Sequence, residues 1–327
     1  MDNLTHSLVG ALLGQAGLKR KTGLAMPALI IGANLPDVDA TSLLWLEGVQ
    51  HLAFRRGITH GPIAWVLLPL ILAGALWWWD RWQGRRGTRP EKRLPVRFGW
   101  LYGLALLATL THPALDWLNV YGIRLLEPFS SRWFYGDVLF IIDVWMWALL
   151  GFATWFSLRR EKRGGNWMRP ARIAGAVGLA YVGMSAALSK LAADGNLSQS
   201  PYRNGVIASP VPLNPLKREL LVRDLRGYWW AANWSLFGDH RPTISQIGQQ
   251  CANGIVIAVG NTEVDAFLFW SRARMAERAP DGSVLIRDAR FYDPRARDRF
   301  TVALKDVRCE PINSPPLREG LGEGVRR

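Results

Sequence analysis

Thr111-His112-Pro113-Ala114-Leu115-Asp116-Trp117-Leu118-Asn119 closes an apolar run that begins near Phe98. His112 and Asp116 stand four residues apart, so on a helix they share one face. An imidazole and a carboxylate at that spacing can bind one metal ion. The segment they end is apolar enough to lie in a membrane, where ionisable groups are expensive and usually functional. The rest of the chain is organised around what converges on this point.

The composition fits a membrane setting. The chain has 327 residues, 49% of them hydrophobic, yet its formal net charge is +14. The two facts are compatible because apolar residues come in blocks and Lys and Arg cluster between them, as in a multi-pass membrane protein with basic loops. Of the 17 Trp, several sit at block ends (Trp77, Trp78, Trp79, Trp100, Trp117), the level of lipid headgroups. The basic residues flank apolar blocks and come with no nucleic-acid motif, so nucleic acid is not an expected partner. Asp2 and His6, without a basic leader, argue against a cleavable signal peptide.

Two short apolar segments, Leu4–Leu18 and Gly23–Leu35, predict a helical hairpin, with Gly10 and Gly14 permitting close helix contact. Gly61–Trp79, Phe98–Leu118, Asp137–Leu158 and Ala171–Leu191 predict four spans, the third carrying Asp143 within it. The basic stretches 19–21, 80–97 and 159–172 alternate with them and predict cytoplasmic loops. His6, Asp37, Asp39, His60, His112, Asp116, Asp137 and Asp143 then map to the opposite, outer side. The expected fold is a mainly α, integral-membrane helical bundle over residues 1–190. A small β-rich domain of α+β type is expected over 191–312 on the outer side, then a disordered tail over 313–327. In that domain Gly254–Gly260, Phe267–Ala273 and Val284–Phe291 read as strands, and Pro280-Asp281-Gly282-Ser283 as a hairpin turn. Cys251 and Cys309 can pair there in an oxidising compartment or remain free thiols.

Three of the five His residues, His6, His60 and His112, sit at the outer ends of apolar segments. Asp37 and Asp39 follow a Pro that ends a helix, and in a turn both can face one site. Asp143, among Ile141, Ile142 and Val144, needs a partner for its charge. Capping explains any one of these residues, but not three His and several Asp on one side of one bundle. The pattern predicts a divalent metal site. His51 is a spare ligand, and His240 a surface turn residue.

The combination Leu4-Thr5-His6, Leu35-Pro36-Asp37-Val38-Asp39, Arg56-Gly57-Ile58-Thr59-His60, His112-Pro113-Ala114-Leu115-Asp116-Trp117 and Ile141-Ile142-Asp143 resembles the membrane-bound metal-dependent hydrolases of the YdjM type. Those are remotely similar to zinc-dependent phospholipase C and the single-strand nucleases. The resemblance covers roughly residues 1–190. It implies metal ligation by His6, Asp37, Asp39, His60, His112, Asp116 and Asp143, and phosphoester hydrolysis at a site of two or three ions, zinc first and Mn²⁺ or Mg²⁺ as alternatives. The chain departs from the pattern at Arg55, where the family carries a His, and at Gly61, where it carries a Ser. The first change removes one coordination position unless His51 supplies it.

The expected function is therefore hydrolysis of a phospholipid or lipid-linked phosphate at the outer face of the inner membrane. Asp37 or Asp39 would accept the proton, and Arg55, Arg56 or Arg132 would hold the phosphate. The rival readings are a non-catalytic metal-binding membrane protein and a transporter. Against the transporter, no internal repeat is found and the polar groups gather on one side.

Overall fold

Asp2 opens the first helix by accepting hydrogen bonds from the backbone N–H groups of Leu4 and Thr5, at 3.0 and 3.1 Å. That satisfies two donors a helix start leaves without partners. In this computed structural model, which describes residues 1–195, 206–238, 244–252 and 261–310, helix α1 runs Asn3–Gln15 and α2 runs Ala25–Gly32. They form the expected hairpin. A Cβ on Gly10 would stand 2.5 Å from the Leu29 carbonyl oxygen, and one on Gly14 would overlap Met26 Sδ. The two glycines are what lets the helices touch.

After α2 the chain tightens into a 3-10 run, Leu35–Leu44, with Pro36 in its first turn. Short α3 (His51–Phe54) and a 3-10 turn, Ile58–His60, lead into α4, Pro62–Arg85. Helices α5 (Phe98–Trp117), α6 (Val144–Lys162) and α7 (Met168–Gly195) complete this half. On α5, Leu101, Leu104, Ala105, Ala108, Thr109, His112 and Asp116 are buried. They recur at helical spacing, so one stripe faces the bundle and ends in the two ionisable groups.

Among the described residues, three helices are long and apolar enough to cross a membrane: Pro62–Arg85, Phe98–Trp117 and Met168–Asp194. Their outer faces stay exposed and apolar, as at Ile71 and Leu179. The third expected span, 137–158, is corrected. Its helix starts only at Val144, and Asp143 precedes it as the N-cap, accepting from the N–H groups of Trp145 and Met146 at 3.0 Å each. The C-terminal turn is Arg159-Arg160-Glu161-Lys162. The apolar part between these limits falls short of the roughly 20 residues a full span needs.

The basic stretches meet at one end of the bundle. Lys19 pairs with Glu161 and lies 4.3 Å over the Trp167 ring. Lys21 lies 4.9 Å over Trp100, and Arg172 Nε donates to the Ala16 carbonyl at 3.0 Å. The first turn of α1, the start of α4 and the end of α5 lie at the opposite end.

Among the described residues, the C-terminal half holds two antiparallel sheets. Strands β1 (Val206–Val211), β2 (Asn214–Arg223), β3 (Trp229–Ser235) and β4 (Ile244–Gln246) pair in chain order, as do β5 (Arg274–Arg278), β6 (Ser283–Asp288) and β7 (Thr301–Arg308). The turn expected at Pro280–Ser283 joins β5 to β6. The strand expected at Phe267–Ala273 is instead mostly helix: α8 spans Thr262–Trp270. Asn261 caps it, accepting from Glu263 and Val264 N–H, and Glu263 and Asp265 complement the helix dipole in the first turn. Cys251 and Cys309 are joined in a disulfide. The strand expected at Gly254–Gly260, His240 and the tail at 313–327 lie outside the described residues.

The halves share a core. Val49, Leu52, Val120 and Tyr121 of the helical half cluster with Val264, Phe267, Trp270 and Phe291. Arg218, fully buried on β2, donates to the Ser185 carbonyl and hydroxyl and the Ser189 hydroxyl of α7, at 2.9, 2.7 and 2.8 Å. Arg290 donates to the Val120 carbonyl at 2.7 Å. The sheets thus hold the loop that follows Asp116.

Candidate metal centre

Four side chains bring one ligand atom each to within 4.8 Å of one another: Asp37, His60, His112 and Asp116. The 3-10 run supplies Asp37, the 3-10 turn His60, and the last two turns of α5 supply His112 and Asp116. His112 Nε2 lies 3.8 Å from Asp37 Oδ1 and 3.6 Å from Asp116 Oδ2, and His60 Nε2 lies 3.6 Å from Asp116 Oδ2. Asp37 is 8% exposed and the other three are fully buried.

The outer contacts of the rings fix which nitrogen faces inward. His112 Nδ1 lies 2.7 Å from the Ala33 carbonyl oxygen, so it carries the proton and Nε2 keeps its lone pair. His60 Nδ1 lies 3.0 Å from Thr59 Oγ1 and 3.4 Å from Asp39 Oδ2. Burial, with the neighbouring His112 and Arg56 adding to it, holds the His60 imidazole well below its usual range. It is neutral, as a metal ligand must be. Among the described residues, His60 Nε2 and His112 Nε2 are buried and accept no hydrogen bond, and Asp116 Oδ2 has only ion-pair contacts, the nearest Arg56 Nε at 3.0 Å. Buried polar atoms are seldom left so. The two orphaned imidazole lone pairs, with the carboxylates of Asp116 and Asp37 beside them, are the donor set a divalent ion takes.

His6 adjoins the tetrad without belonging to it. Its ring stacks on that of His112 with centroids 3.8 Å apart, and its Nε2 lies 3.5 Å from Asp116 Oδ1. Both of its ring nitrogens lack partners among the described residues. The Met1 ammonium also contacts Asp116 Oδ1.

Asp39 stands behind His60, outside the tetrad. Its Oδ2 accepts from the Arg56 N–H at 2.7 Å and the Thr59 hydroxyl at 3.1 Å, and burial raises its carboxyl above the usual range. The structure thus places Asp39 against the outer side of His60 and not among the four gathered donors. Asp143 is corrected: its carboxylate caps α6 and accepts from the Tyr181 hydroxyl at 2.9 Å, and it is not among the gathered donors. His51, the spare, turns Nδ1 to the Gly48 carbonyl at 3.0 Å.

The three arginines differ. Arg55 Nη2 donates to Asp37 Oδ1 at 3.2 Å and its Nε lies 3.6 Å from Asp39 Oδ1. Its side chain is 24% exposed, more than that of any tetrad residue, so it marks where the site comes nearest the surface, its mouth. Arg56 is buried and does not reach the mouth. Its Nε lies 3.0 Å from Asp116 Oδ2, Nη1 donates to Asn119 Oδ1 and the Gly122 carbonyl, and the guanidinium lies 4.4 Å over the Tyr121 ring. Burial lowers its pKa to about 10. It is the internal counter-charge of Asp116, not a substrate contact. Its φ of 56° lies in the left-handed region, which costs an L-residue about 1–2 kcal/mol. Bonds to both its backbone groups hold it there, from its N–H to Asp39 and from Arg124 N–H to its carbonyl. Arg132 is exposed, its guanidinium 5.4 Å over Phe134, and it makes none of the site's contacts.

Residues that sequence reasoning missed are Thr59, Asn119, Tyr121 and the Ala33 carbonyl. Thr59 and Asn119 lie within the quoted motifs. Tyr121 and Ala33 carry no signal short of the fold.

The family model of the YdjM inner membrane protein matches residues 1–192. The uncharacterized protein YfhP of Bacillus subtilis (strain 168) is 26% identical over 167 residues, 48% of this chain and 47% of that protein. The chain thus spans about half the length of this curated relative. No solved structure matches the chain. Every residue of the tetrad lies within the matched segment, and the chain belongs to the YdjM inner membrane protein family.

Proposed function

We propose that the chain is a membrane-bound, metal-dependent hydrolase that cleaves a phosphoester, carried on a phospholipid or lipid-linked phosphate, at the outer face of the membrane. The observation that carries this reading is the convergence of Asp37, His60, His112 and Asp116, with the inward imidazole nitrogens Nε2 of His60 and His112 accepting no hydrogen bond among the described residues. Two imidazoles and two carboxylates suit zinc, with Mn²⁺ or Mg²⁺ as alternatives. His6 Nε2, which accepts no hydrogen bond among the described residues, offers a donor for a second ion.

A divalent ion, when bound, supplies a Lewis acid for a phosphoryl oxygen. The chain's own groups do the rest. Asp37, the least buried of the tetrad, would take the proton of the attacking water as its oxygen bonds to phosphorus, and would return that proton to the alkoxide released as the ester P–O bond breaks. Arg55 presents its planar fork to the phosphate. Asp39 and Thr59 keep His60 in its tautomer, and Arg56 offsets the charge of Asp116.

The outer location is inferred from two observations. The basic stretches gather at one end of the bundle and the site lies at the other, so a cytoplasmic basic end puts the site outside. The Cys251–Cys309 disulfide suits an oxidising compartment for the C-terminal half.

A screen of phosphoesters and phospholipids, run on chelator-stripped protein with metal add-back, tests the reading. Metal-dependent turnover supports it, and a metal-replete protein inert on every substrate overturns it. The burial of three tetrad members favours a second reading, a non-catalytic structural metal site, since such sites are closed. That reading predicts a tightly held ion and no turnover.

A further inference from the structure

The mouth of the site is flanked by large apolar side chains that the fold leaves uncovered. Arg55 and Asp37 mark the mouth. Phe54, next to Arg55, is 44% exposed, and Trp45 meets it edge to face, centroids 6.3 Å apart. Trp45 is 59% exposed, Leu44 84% and Ile58 54%. Exposed residues of this kind scattered singly need no explanation, but a contiguous group beside a site does.

We infer that Leu44, Trp45, Phe54 and Ile58 form a lip set into the lipid leaflet, through which the site takes an anionic amphiphile sideways from the bilayer, its phosphate met by Arg55. The occupant is lipid because of what the lip continues. Two residues after the turn that holds Ile58, α4 begins, and its exposed Ile63, Val66, Leu67 and Leu70 recur at helical spacing. They make one apolar stripe on a helix long and apolar enough to cross a membrane. The 3-10 run ending at Leu44 and the 3-10 turn both pack on α4. The lip therefore extends the stripe past the helix end, at the level where Trp is favoured. The Arg55 cation, about a quarter exposed, complements an anionic headgroup. Insertion of the lip stands apart from the hydrolytic reading, whereas entry of a substrate rests on it.

The test uses the full chain in phosphatidylethanolamine–phosphatidylglycerol vesicles. Leu44→Cys is labelled with an environment-sensitive fluorophore, and Leu225→Cys, exposed on the turn between β2 and β3, serves as the control. Shallow spin-labelled lipids should quench the label at 44 and spare the one at 225. Iodide in water quenching both equally overturns the lip. So does a label at 44 shielded from iodide yet untouched by spin-labelled lipid, because a protein surface then covers it.

In the second arm, Leu44→Asp/Trp45→Ser should lower kcat/KM on bilayer phospholipid about tenfold, the scale of one lost apolar anchor. Metal content and turnover of soluble bis(p-nitrophenyl) phosphate should be unchanged. Equal loss on both substrates overturns lateral entry. A quenched label at 44 in a wild-type protein inert on all phosphoesters overturns the hydrolytic reading and leaves the lip standing.

Discussion

His112 Nδ1 lies 2.7 Å from the carbonyl oxygen of Ala33, and this contact decides what the other nitrogen of the ring can do. The carbonyl is at the C-terminal end of α2, where the last carbonyls have no partner within the helix. The imidazole fills that need with its N–H and turns Nε2 toward Asp37 and Asp116. A packing requirement and a ligand requirement are met by the same side chain.

His112→Ala and Asp116→Ala should each reduce bound divalent metal to background, because each removes a donor that the other three cannot replace. Thr59→Ala removes only the outer support of His60 and Asp39. It should weaken metal affinity about 10–100-fold, the usual cost of losing such a partner. Competition with a chromophoric chelator measures both.

Arg56→Met should destabilise the metal-free protein, by less than the roughly 3–5 kcal/mol of a fully unpaired buried charge because the Met1 ammonium still contacts Asp116. Denaturant unfolding in detergent reads the loss. Arg56→Lys should recover part of it: the charge returns, but the paired contacts to Asn119 and Gly122 do not.

Much of this was legible in the sequence, for a reason visible in each residue. His6, Asp37, His60, His112 and Asp116 stand where apolar segments end, so loop charge and segment order were enough to gather them. Asp143 was misread because Ile141, Ile142 and Val144 make a continuous apolar run. Hydropathy does not separate a helix from the residue that caps it. Asp39 was read as a ligand because proximity in sequence does not say which carboxylate faces inward and which backs a histidine. Arg56 was assigned to the substrate because its backbone turn into the left-handed region, which carries it inward, has no sequence signature in a non-glycine residue. The strand expected at Phe267–Ala273 failed because a short apolar run fits helix or strand. Asn261 with Glu263 and Asp265 was the available helix-start signal.

Arg55→Ala should leave metal content unchanged and weaken inhibition by inorganic phosphate about tenfold, the scale of one lost charge-assisted hydrogen bond. Its effect should fall on KM more than on kcat. A changed metal content would make Arg55 part of the metal site instead of its mouth.

Replacing both cysteines by Ser should lower the stability of the C-terminal half by about 2–5 kcal/mol, since the bond closes a loop between residues 58 positions apart. The midpoint of thermal unfolding should fall while metal content, set in the other half, stays constant.

Asp288 sets an acid limit on the same half. Burial alone would raise its carboxyl. The charge of Arg290, its hydrogen bonds and that of Ser271 outweigh burial and hold it below the usual range. A depressed carboxylate stabilises the fold above the unfolded value and loses that contribution as pH falls through the folded one. Stability of the C-terminal half should therefore drop below about pH 4, and Asp288→Asn should start lower and fall less. Equal acid slopes for the two proteins would remove Asp288 from the account.

The central claim is that the buried tetrad holds a divalent ion. Elemental analysis of the purified full chain, reloaded with zinc and passed through gel filtration, tests it most directly. The account predicts at least one retained ion per chain in the wild type and none in His112→Ala. Less than one ion per chain in the wild type, or full retention in His112→Ala, would contradict it.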